Sequence, residues 1–323
     1  MAASEFELIE TYFSHTGGPR EDVVLGVGDD CALLQVPRGQ LLAVSIDTLV
    51  EGIHFLARTD PEALGHKALA VNLSDLAAAG ATPAWATLAL TLPESDTAWL
   101  EAFSAGFTAL AERFGVQLVG GDTTRGPLTI TVQVHGFADP ARVLRRDRAC
   151  PGDRIGITGS LGDAALALKL SAGVGSAVGI DRALADRLHR PLPRIDEGRA
   201  LAGLARAAID ISDGLMADLG HICSQSGVGA RIDTDLLPLS GAVAAHIKET
   251  GDWSIPLTGG DDYELCFTAR PQLTGKIEAE MHRLGCGFSW IGEIEKQPGI
   301  RCQGVSGDLL KGMVGGYEHF GTP

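Results

Sequence analysis

The chain has 323 residues, enough for two domains of ordinary size, and its 45% hydrophobic and 21% charged content excludes disorder, collagen and coiled coil as descriptions of the whole. A formal net charge of −15 repels nucleic acid and anionic membrane at long range, so neither is an expected main partner. No apolar run approaches the ~20 residues of a membrane span, the N-terminus MAASEFELIETYF lacks a basic region ahead of an apolar stretch, and no two of the six cysteines stand at CxxC spacing. The expectation is a cytoplasmic protein with no zinc knuckle, its thiols serving as small apolar groups.

In chain order, Leu41 to Asp47 (LLAVSID) predicts a strand and Pro61 to Ala79 a helix with Leu64, Ala68, Val71 and Leu76 on its apolar stripe. A second helix, capped by Ser95 or Asp96, runs to Phe114 and stops at Gly115. VQLVGGD and LTITVQVHGF follow as strands. Asp139 to Gly152, rich in arginine and closed by Pro151-Gly152, breaks the pattern and reads as a linker between a domain over 1–138 and one over 153–323. Beyond it come strand DRIGITG, helix LGDAALALKLS, a helix over Pro193 to Ala207, strand AAIDIS, helix GLMADLGHICSQS and strand VGARIDT. IPLTGGDDYELCFTA reads as a strand broken at Gly-Gly, Gln272 to Leu284 as a helix, and FSWIGEIE as the last strand. Strands interleave with helices in both halves, which predicts two α/β or α+β domains. The phrases GVGDDCALL, LVGGDTT and LTGGDDYEL hint at a duplication.

The placement of acid carries the chemistry. Asp29 and Asp30 follow VVLGVG, Asp47 ends a strand, Asp75 sits in VNLSDLAAAG, Asp122 follows LVGG, Asp210 and Asp213 flank Ile211-Ser212, and Asp261 and Asp262 follow LTGG. Apolar neighbours on both sides predict burial for each, and an unpaired buried carboxylate costs several kcal/mol. Basic residues are missing from these segments. The acids therefore either accept backbone N–H bonds as caps and Asx-turns or bind cations at strand ends, where α/β proteins place ligands. Oxygen donors without a His/Cys cluster point to Mg²⁺, which usually also holds phosphate. No P-loop and no protein-kinase motif set is present, so a nucleotide would need another scaffold.

Taken in order, GDDCALL, SIDTLVEGIHF, ALAVNLSDLAAAGATPAW, LVGGDTTRGPL, AIDISDGL, GGDDYELCF and GYEHF resemble the thiamine-monophosphate kinases, from about Phe6 to Phe320. The resemblance implies the two-domain α/β (α+β) fold shared with aminoimidazole-ribonucleotide synthetase, with an N-terminal domain that pairs in a homodimer, a C-terminal α/β domain, and ATP in a cleft between the domains. It implies direct in-line transfer of the γ-phosphoryl of ATP to thiamine monophosphate, giving thiamine diphosphate and ADP. Carried over by residue, Asp30, Ser45, Asp47, Asp75, Asp122, Asp210 and Asp213 would hold several Mg²⁺ ions, with Asp47 and Asp122 the most critical. Gly121, Asp122, Arg146 and Ser212 would meet ATP, and His54, Asp261 and Tyr317 would line the thiamine phosphate pocket. Two departures stand out: Ile46 replaces a frequent Thr, and GGDD replaces GGED, making Asp261 one methylene shorter.

The implied chemistry is positioning and charge neutralisation. The acceptor is already an ionised phosphate oxygen, so no strong general base is needed. Structural roles stand beside the functional ones: a structural hydrogen bond for His54, a solvated loop for Arg146, a C-terminal anchor in the core for Tyr317, turn or cap roles for Asp29 and Asp262, and a helix-dipole role for Asp163. The rival functions are another ATP-using enzyme of the same superfamily, a non-catalytic Mg²⁺-nucleotide-binding protein, and a calcium module, for which no EF-hand spacing exists.

Overall fold

The computed structural model describes residues 5–173, 181–304 and 316–317. The chain divides into two compact units, Met1–Leu76 with Ala81–Pro140, and Ala141–Pro323 with Ala77–Gly80.

The first unit contains α1 (Glu5–Tyr12), β1 (Val23–Leu25), β2 (Leu33–Leu34), β3 (Leu41–Val50), α2 (Pro61–Ala78), β4 (Thr82–Leu92), α3 (Thr97–Phe114), β5 (Gln117–Arg125) and β6 (Thr129–Ala138). Its sheet has the order β3-β6-β4-β5. β6 runs antiparallel to both neighbours, while β4 and β5 are parallel. Asp96 caps α3 by accepting from the amides of Ala98 and Trp99, and Gly115 ends it in the left-handed conformation, as the sequence predicts. The α2 and α3 backbones cross closely. A Cβ on Gly65 would lie 2.0 Å from the Phe103 carbonyl oxygen, and one on Gly106 would lie 1.9 Å from that of Glu62. Only glycine permits that approach, at a helix cost of about 1 kcal/mol each. α2 is buried around most of its circumference, including Leu64, Leu69, Leu73, Asn72 and Ser74, which a single apolar stripe does not describe.

Strand alternation sets the two faces of this sheet. Val132, Leu88 and Leu90 are buried on one, while Leu42, Val44 and Ile46 of the edge strand β3 stand exposed on the other, Ile46 at 57%. On that second face Trp85 packs with Phe137 and with Val23 and Leu34 of the β1–β2 ribbon. Asp22 accepts from Trp85 Nε1 at 2.9 Å and pairs with Arg20 at 2.7 Å, and the Arg20 guanidinium holds its carboxyl below the usual range.

The second unit contains β7 (Arg154–Thr158), α4 (Asp163–Gly173), α5 (Arg182–His189), α6 (Ile195–Leu201), β8 (Ala207–Asp210), α7 (Leu215–Ser226), β9 (Gly229–Asp233), α8 (Gly241–Thr250), α9 (Ser254–Thr258), β10 (Leu265–Ala269), α10 (Thr274–Leu284), β11 (Phe288–Glu295) and β12 (Gly299–Gln303). The six strands are ordered β12-β9-β11-β7-β10-β8, antiparallel except for the β12–β9 pair. Ile155, Ile157, Ile209, Ile232 and Ile291 form one core with Leu215, Leu219 and Ile222 of α7. A second cluster joins Leu166, Leu184, Leu188, Val243 and Ile255.

Several expectations need correction. The helix expected over Pro193 to Ala207 is α6 alone, because Ala202 leaves helical geometry and Gly203 turns at φ 88°. The first part of IPLTGGDDYELCFTA is the short helix α9 rather than a strand, since a short apolar run carries no period to decide between them. FSWIGEIE is followed by β12. Strand β4, helix α1 and helices α5 and α8 add to the expected set. TPAWATLALTL, rich in Ala and Leu, lacks the β-branched signal of a strand, yet it occupies the middle of the first sheet.

Candidate functional site

In the second unit, antiparallel pairing of β8 with β10 ends at Asp210 opposite Leu265, but the two chains continue side by side. Ile211 N–H donates to Glu264 O at 2.8 Å, Tyr263 N–H to Ile211 O at 2.8 Å, and Asp261 N–H to Ser212 O at 2.9 Å. A Cβ on Gly260 would lie 2.4 Å from the Ser212 oxygen, so the Gly-Gly step is what lets the loops close on each other. Tyr317 N–H donates to Asp213 O at 3.1 Å. Asp210, Ser212, Asp213, Asp261 and Tyr317, expected from distant parts of the sequence, are thus joined by the backbone. Tyr317 is 50% exposed, so its side chain is no core anchor.

The 259–264 segment is strained and firmly held. Asp261 and Tyr263 have φ of 69° and 50°, a region that Asp tolerates and Tyr seldom enters. Tyr263 Oη donates to Asp261 Oδ1 at 2.9 Å, which fixes the orientation of the carboxylate. The shorter acid of GGDD suits this backbone, because Asp is among the residues enriched at positive φ. Glu264 is fully buried. It accepts from Arg194 Nε and Nη2 at 2.6 Å each, Arg187 Nη2 at 2.7 Å and Thr158 Oγ1 at 2.7 Å. Asp262, also buried, accepts the Gly162 N–H with both oxygens at 3.0 Å, a long-range bond ahead of α4 rather than the local turn or cap expected, and burial raises its carboxyl well above the usual range. Asp163 opens α4 and accepts from Ser160 Oγ at 2.6 Å.

The 210–214 loop is held from within. Asp218, 2% exposed, accepts the N–H groups of Ser212, Asp213 and Gly214 on one oxygen, Oδ2, each at 3.1 Å. Burial first, then the Asp213 charge, push its carboxyl up to about 7 against the lowering effect of those three bonds. The sequence reading passed over Asp218, Tyr263 and Glu264. Their one legible signal is an acid, or a tyrosine with a hydroxyl to satisfy, set among residues that must be buried.

In the first unit, Ser45 Oγ donates to Asp75 Oδ2, and Asp47 N–H donates to Asn72 Oδ1 at 2.9 Å. Ser45 and Asp47 alternate with Ile46, so Ile46 lies on the other face of β3 from them. Register separates Asp122 as well. It aligns with Ala89, Thr131 and Thr48, whereas Asp47 aligns with Val132, Leu88 and Gly121, so the two acids extend from opposite faces of the sheet. A Cβ on Gly121 would lie 2.0 Å from the Leu88 carbonyl oxygen, so strand packing alone requires glycine there. Asp29 Oδ1 accepts the Asp30 N–H at 2.7 Å in an exposed turn. His54 Nδ1 accepts the Val50 N–H at 3.0 Å, which places the proton of the neutral ring on Nε2. In the second unit, Arg146 is exposed on a short 3₁₀ turn, its carbonyl accepting from Ser226 Oγ at 3.0 Å.

The expectation of burial holds for Asp210 and Asp262 but not for Asp29, Asp30 and Asp122, which are exposed. Loop ends and the end of an edge strand leave them in water despite apolar neighbours in sequence. Among the described residues no group of three or more His, Cys, Asp or Glu gathers as a metal cage. The donors fit Mg²⁺ in kind, being carboxylate and hydroxyl oxygens, and Mg²⁺ is commonly held by one or two carboxylates with phosphate and water completing its shell. An open cavity of about 700 Å³ in the second unit, beside Arg199 and Arg283, contains none of the expected residues. One of about 500 Å³ in the first unit is lined by Thr123 and Thr124, directly after Asp122.

Residues 28–138 match the family of AIR synthase related proteins, N-terminal domain, and residues 150–305 match the corresponding C-terminal domain. The chain is 49% identical over 326 residues to thiamine-monophosphate kinase of Escherichia coli K12, covering 100% of both. The crystal structure of thiamine-monophosphate kinase from Stenotrophomonas maltophilia K279a superimposes with a TM-score of 0.83 at 46% identity, covering 88% of this chain and 92% of that one. AaThiL complexed with AMPPCP and TMP superimposes with a TM-score of 0.77 at 32% identity, covering 91% and 92%. With its two AIR synthase related domains and a full-length match, the chain belongs to the thiamine-monophosphate kinase family.

Proposed function

We propose that this protein transfers the γ-phosphoryl group of ATP to thiamine monophosphate, forming thiamine diphosphate and ADP in one in-line step, the last step of thiamine diphosphate synthesis. The observation that carries the reading is the junction in the second unit, where Asp261 N–H meets Ser212 O and Tyr317 N–H meets Asp213 O. It joins residues expected at the acceptor to one expected at the nucleotide, Ser212, and one expected at Mg²⁺, Asp213. The complex of AaThiL with AMPPCP and TMP supports the same pair of substrates.

In this reading Asp30, Ser45, Asp47, Asp75, Asp122, Asp210 and Asp213 hold Mg²⁺. When bound, the metal neutralises polyphosphate charge so that two anions can approach. Ser212, Gly121 and Arg146 meet the nucleotide, the arginine as a planar fork. Because Asp218 occupies the Ser212 amide, Ser212 acts through its hydroxyl. His54, its Nδ1 occupied by Val50 N–H, donates from Nε2 to the acceptor. The exposed ring of Tyr317 stacks on the cationic thiamine heterocycle. Asp261, oriented by Tyr263, accepts from the acceptor substrate.

A homodimer through the first unit is part of the proposal. Leu42, Val44 and Ile46 form an exposed apolar row on an edge strand, a surface that monomers avoid. Ile46→Asp then yields a monomer by sedimentation velocity. The cytoplasm suits six free thiols, and among the described residues no helix is long and apolar enough to cross a membrane. The test is formation of thiamine diphosphate from thiamine monophosphate, ATP and Mg²⁺. Turnover should vanish with chelator and in Asp47→Asn and Asp122→Asn of unchanged fold. Near-normal rates in both variants would remove the metal assignment, and no product from the wild type would remove the function.

A further inference from the structure

We propose that Asp218 is a positioning residue for the reaction, holding the 212–214 backbone so that the Ser212 and Asp213 side chains are presented to the metal-bound nucleotide; this rests on the function proposed above. α7 begins after Gly214, whose φ of 113° and ψ of 150° lie outside the helix and which has no side chain to cap it. The capping task passes to Asp218, one turn inside the helix. Its single oxygen Oδ2 takes three consecutive N–H groups at 3.1 Å. Consecutive amides converging on one point form a nest, the arrangement that elsewhere cradles a phosphate. Here the chain supplies its own acceptor, and the buried Asp218 oxygen closes the nest to any ligand.

Two consequences follow. The loop cannot grip the nucleotide by its amides, unlike a P-loop, and must act through side chains. Its outward carbonyls are also committed, Ser212 O to Asp261 N–H and Asp213 O to Tyr317 N–H. The loop is therefore pinned on its inner side by Asp218 and on its outer side by the acceptor-binding segments. A shift in the inner pin moves the nucleotide ligands first, while the Asp261 carboxylate keeps an anchor of its own in Tyr263.

The test has two arms. In the wild type, amide hydrogen exchange at Ser212, Asp213 and Gly214 is measured with and without Mg²⁺ and AMPPCP. The three amides should exchange slowly in both conditions. Protection that arises only with nucleotide would mean that they bind phosphate, and would overturn the proposal. In Asp218→Asn, which keeps the shape and one acceptor oxygen, kcat should fall about 10- to 100-fold, the scale of a small misplacement of reacting groups. Half-saturation by Mg²⁺·AMPPCP in calorimetry should rise about 10-fold, more than any change in KM for thiamine monophosphate. Wild-type kcat and nucleotide affinity in a folded Asp218→Asn protein would overturn the proposal. Absence of thiamine diphosphate formation by the wild type overturns the function itself, whereas the exchange and calorimetry arms judge Asp218 without it.

Discussion

The amide of Tyr317 donates to the carbonyl of Asp213 at 3.1 Å, and Gly316 makes that approach possible. A Cβ on Gly316 would lie 2.4 Å from the Asp213 oxygen and 2.6 Å from the Ala217 Cβ. An aromatic side chain near the end of the sequence is thereby tied to a loop roughly a hundred positions earlier. Gly316→Ala should lift Tyr317 from its anchor and raise KM for thiamine monophosphate several-fold with little change in KM for ATP. Tyr317→Ala should raise the same constant by roughly 3- to 30-fold and Tyr317→Phe much less, since in the proposed role it is the ring face that attracts the cation. Initial-rate kinetics against each substrate checks all three.

The Glu264 cluster predicts a large stability effect. Arg194 contributes two of the four short bonds to a fully buried carboxylate. Arg194→Met leaves part of that charge uncompensated and should cost about 3–5 kcal/mol. Arg194→Lys keeps the charge but loses the fork, and should fall between the two. Urea unfolding followed by far-UV circular dichroism measures the difference.

The α2–α3 crossing predicts that small additions are costly. With carbonyl oxygens 1.9–2.0 Å from the place a Cβ would take, Gly65→Ala and Gly106→Ala should each destabilise the first unit by about 1–3 kcal/mol. This is opposite in sign to the gain alanine brings in an open helix. Thermal melts of the two variants decide it.

Asp252 predicts a pH effect of definite sign. It pairs with Lys169 at 2.6 Å and accepts from the Ser254 amide at 3.0 Å. The Lys169 hydrogen bond, then Ser254, lower its carboxyl from 3.8 to about 2. A depressed carboxylate stabilises the fold above its unfolded value, and that contribution is lost as pH falls toward the folded one. Asp252→Asn should therefore melt slightly lower than wild type at pH 6, by no more than about 1 kcal/mol because Lys169 is half exposed. The gap should close between about pH 4 and pH 2. A gap that widens in acid would contradict the assignment.

What the sequence alone determined was local and ordinal. The α3 cap, at Ser95 or Asp96, and its stop at Gly115 were legible because capping needs only a few neighbouring residues. The ordered motifs were enough to imply the family. Strand β4 was not legible, since its Ala/Leu-rich segment becomes a strand through its partners β5 and β6. The short helix α9 was misread for a similar reason.

Only the tertiary structure decided which acids meet. Ser212 and Asp261 are brought together by antiparallel pairing of β8 with β10, a register no local pattern encodes. Asp47 and Asp122 leave opposite faces of one sheet, because side-chain direction in a strand reverses at every residue and pairing fixes which residues share a face. Asp218 acquired its place through the turn that folds three amides onto it. Sequence named the chemical groups; long-range hydrogen bonding and strand parity determined where their atoms lie.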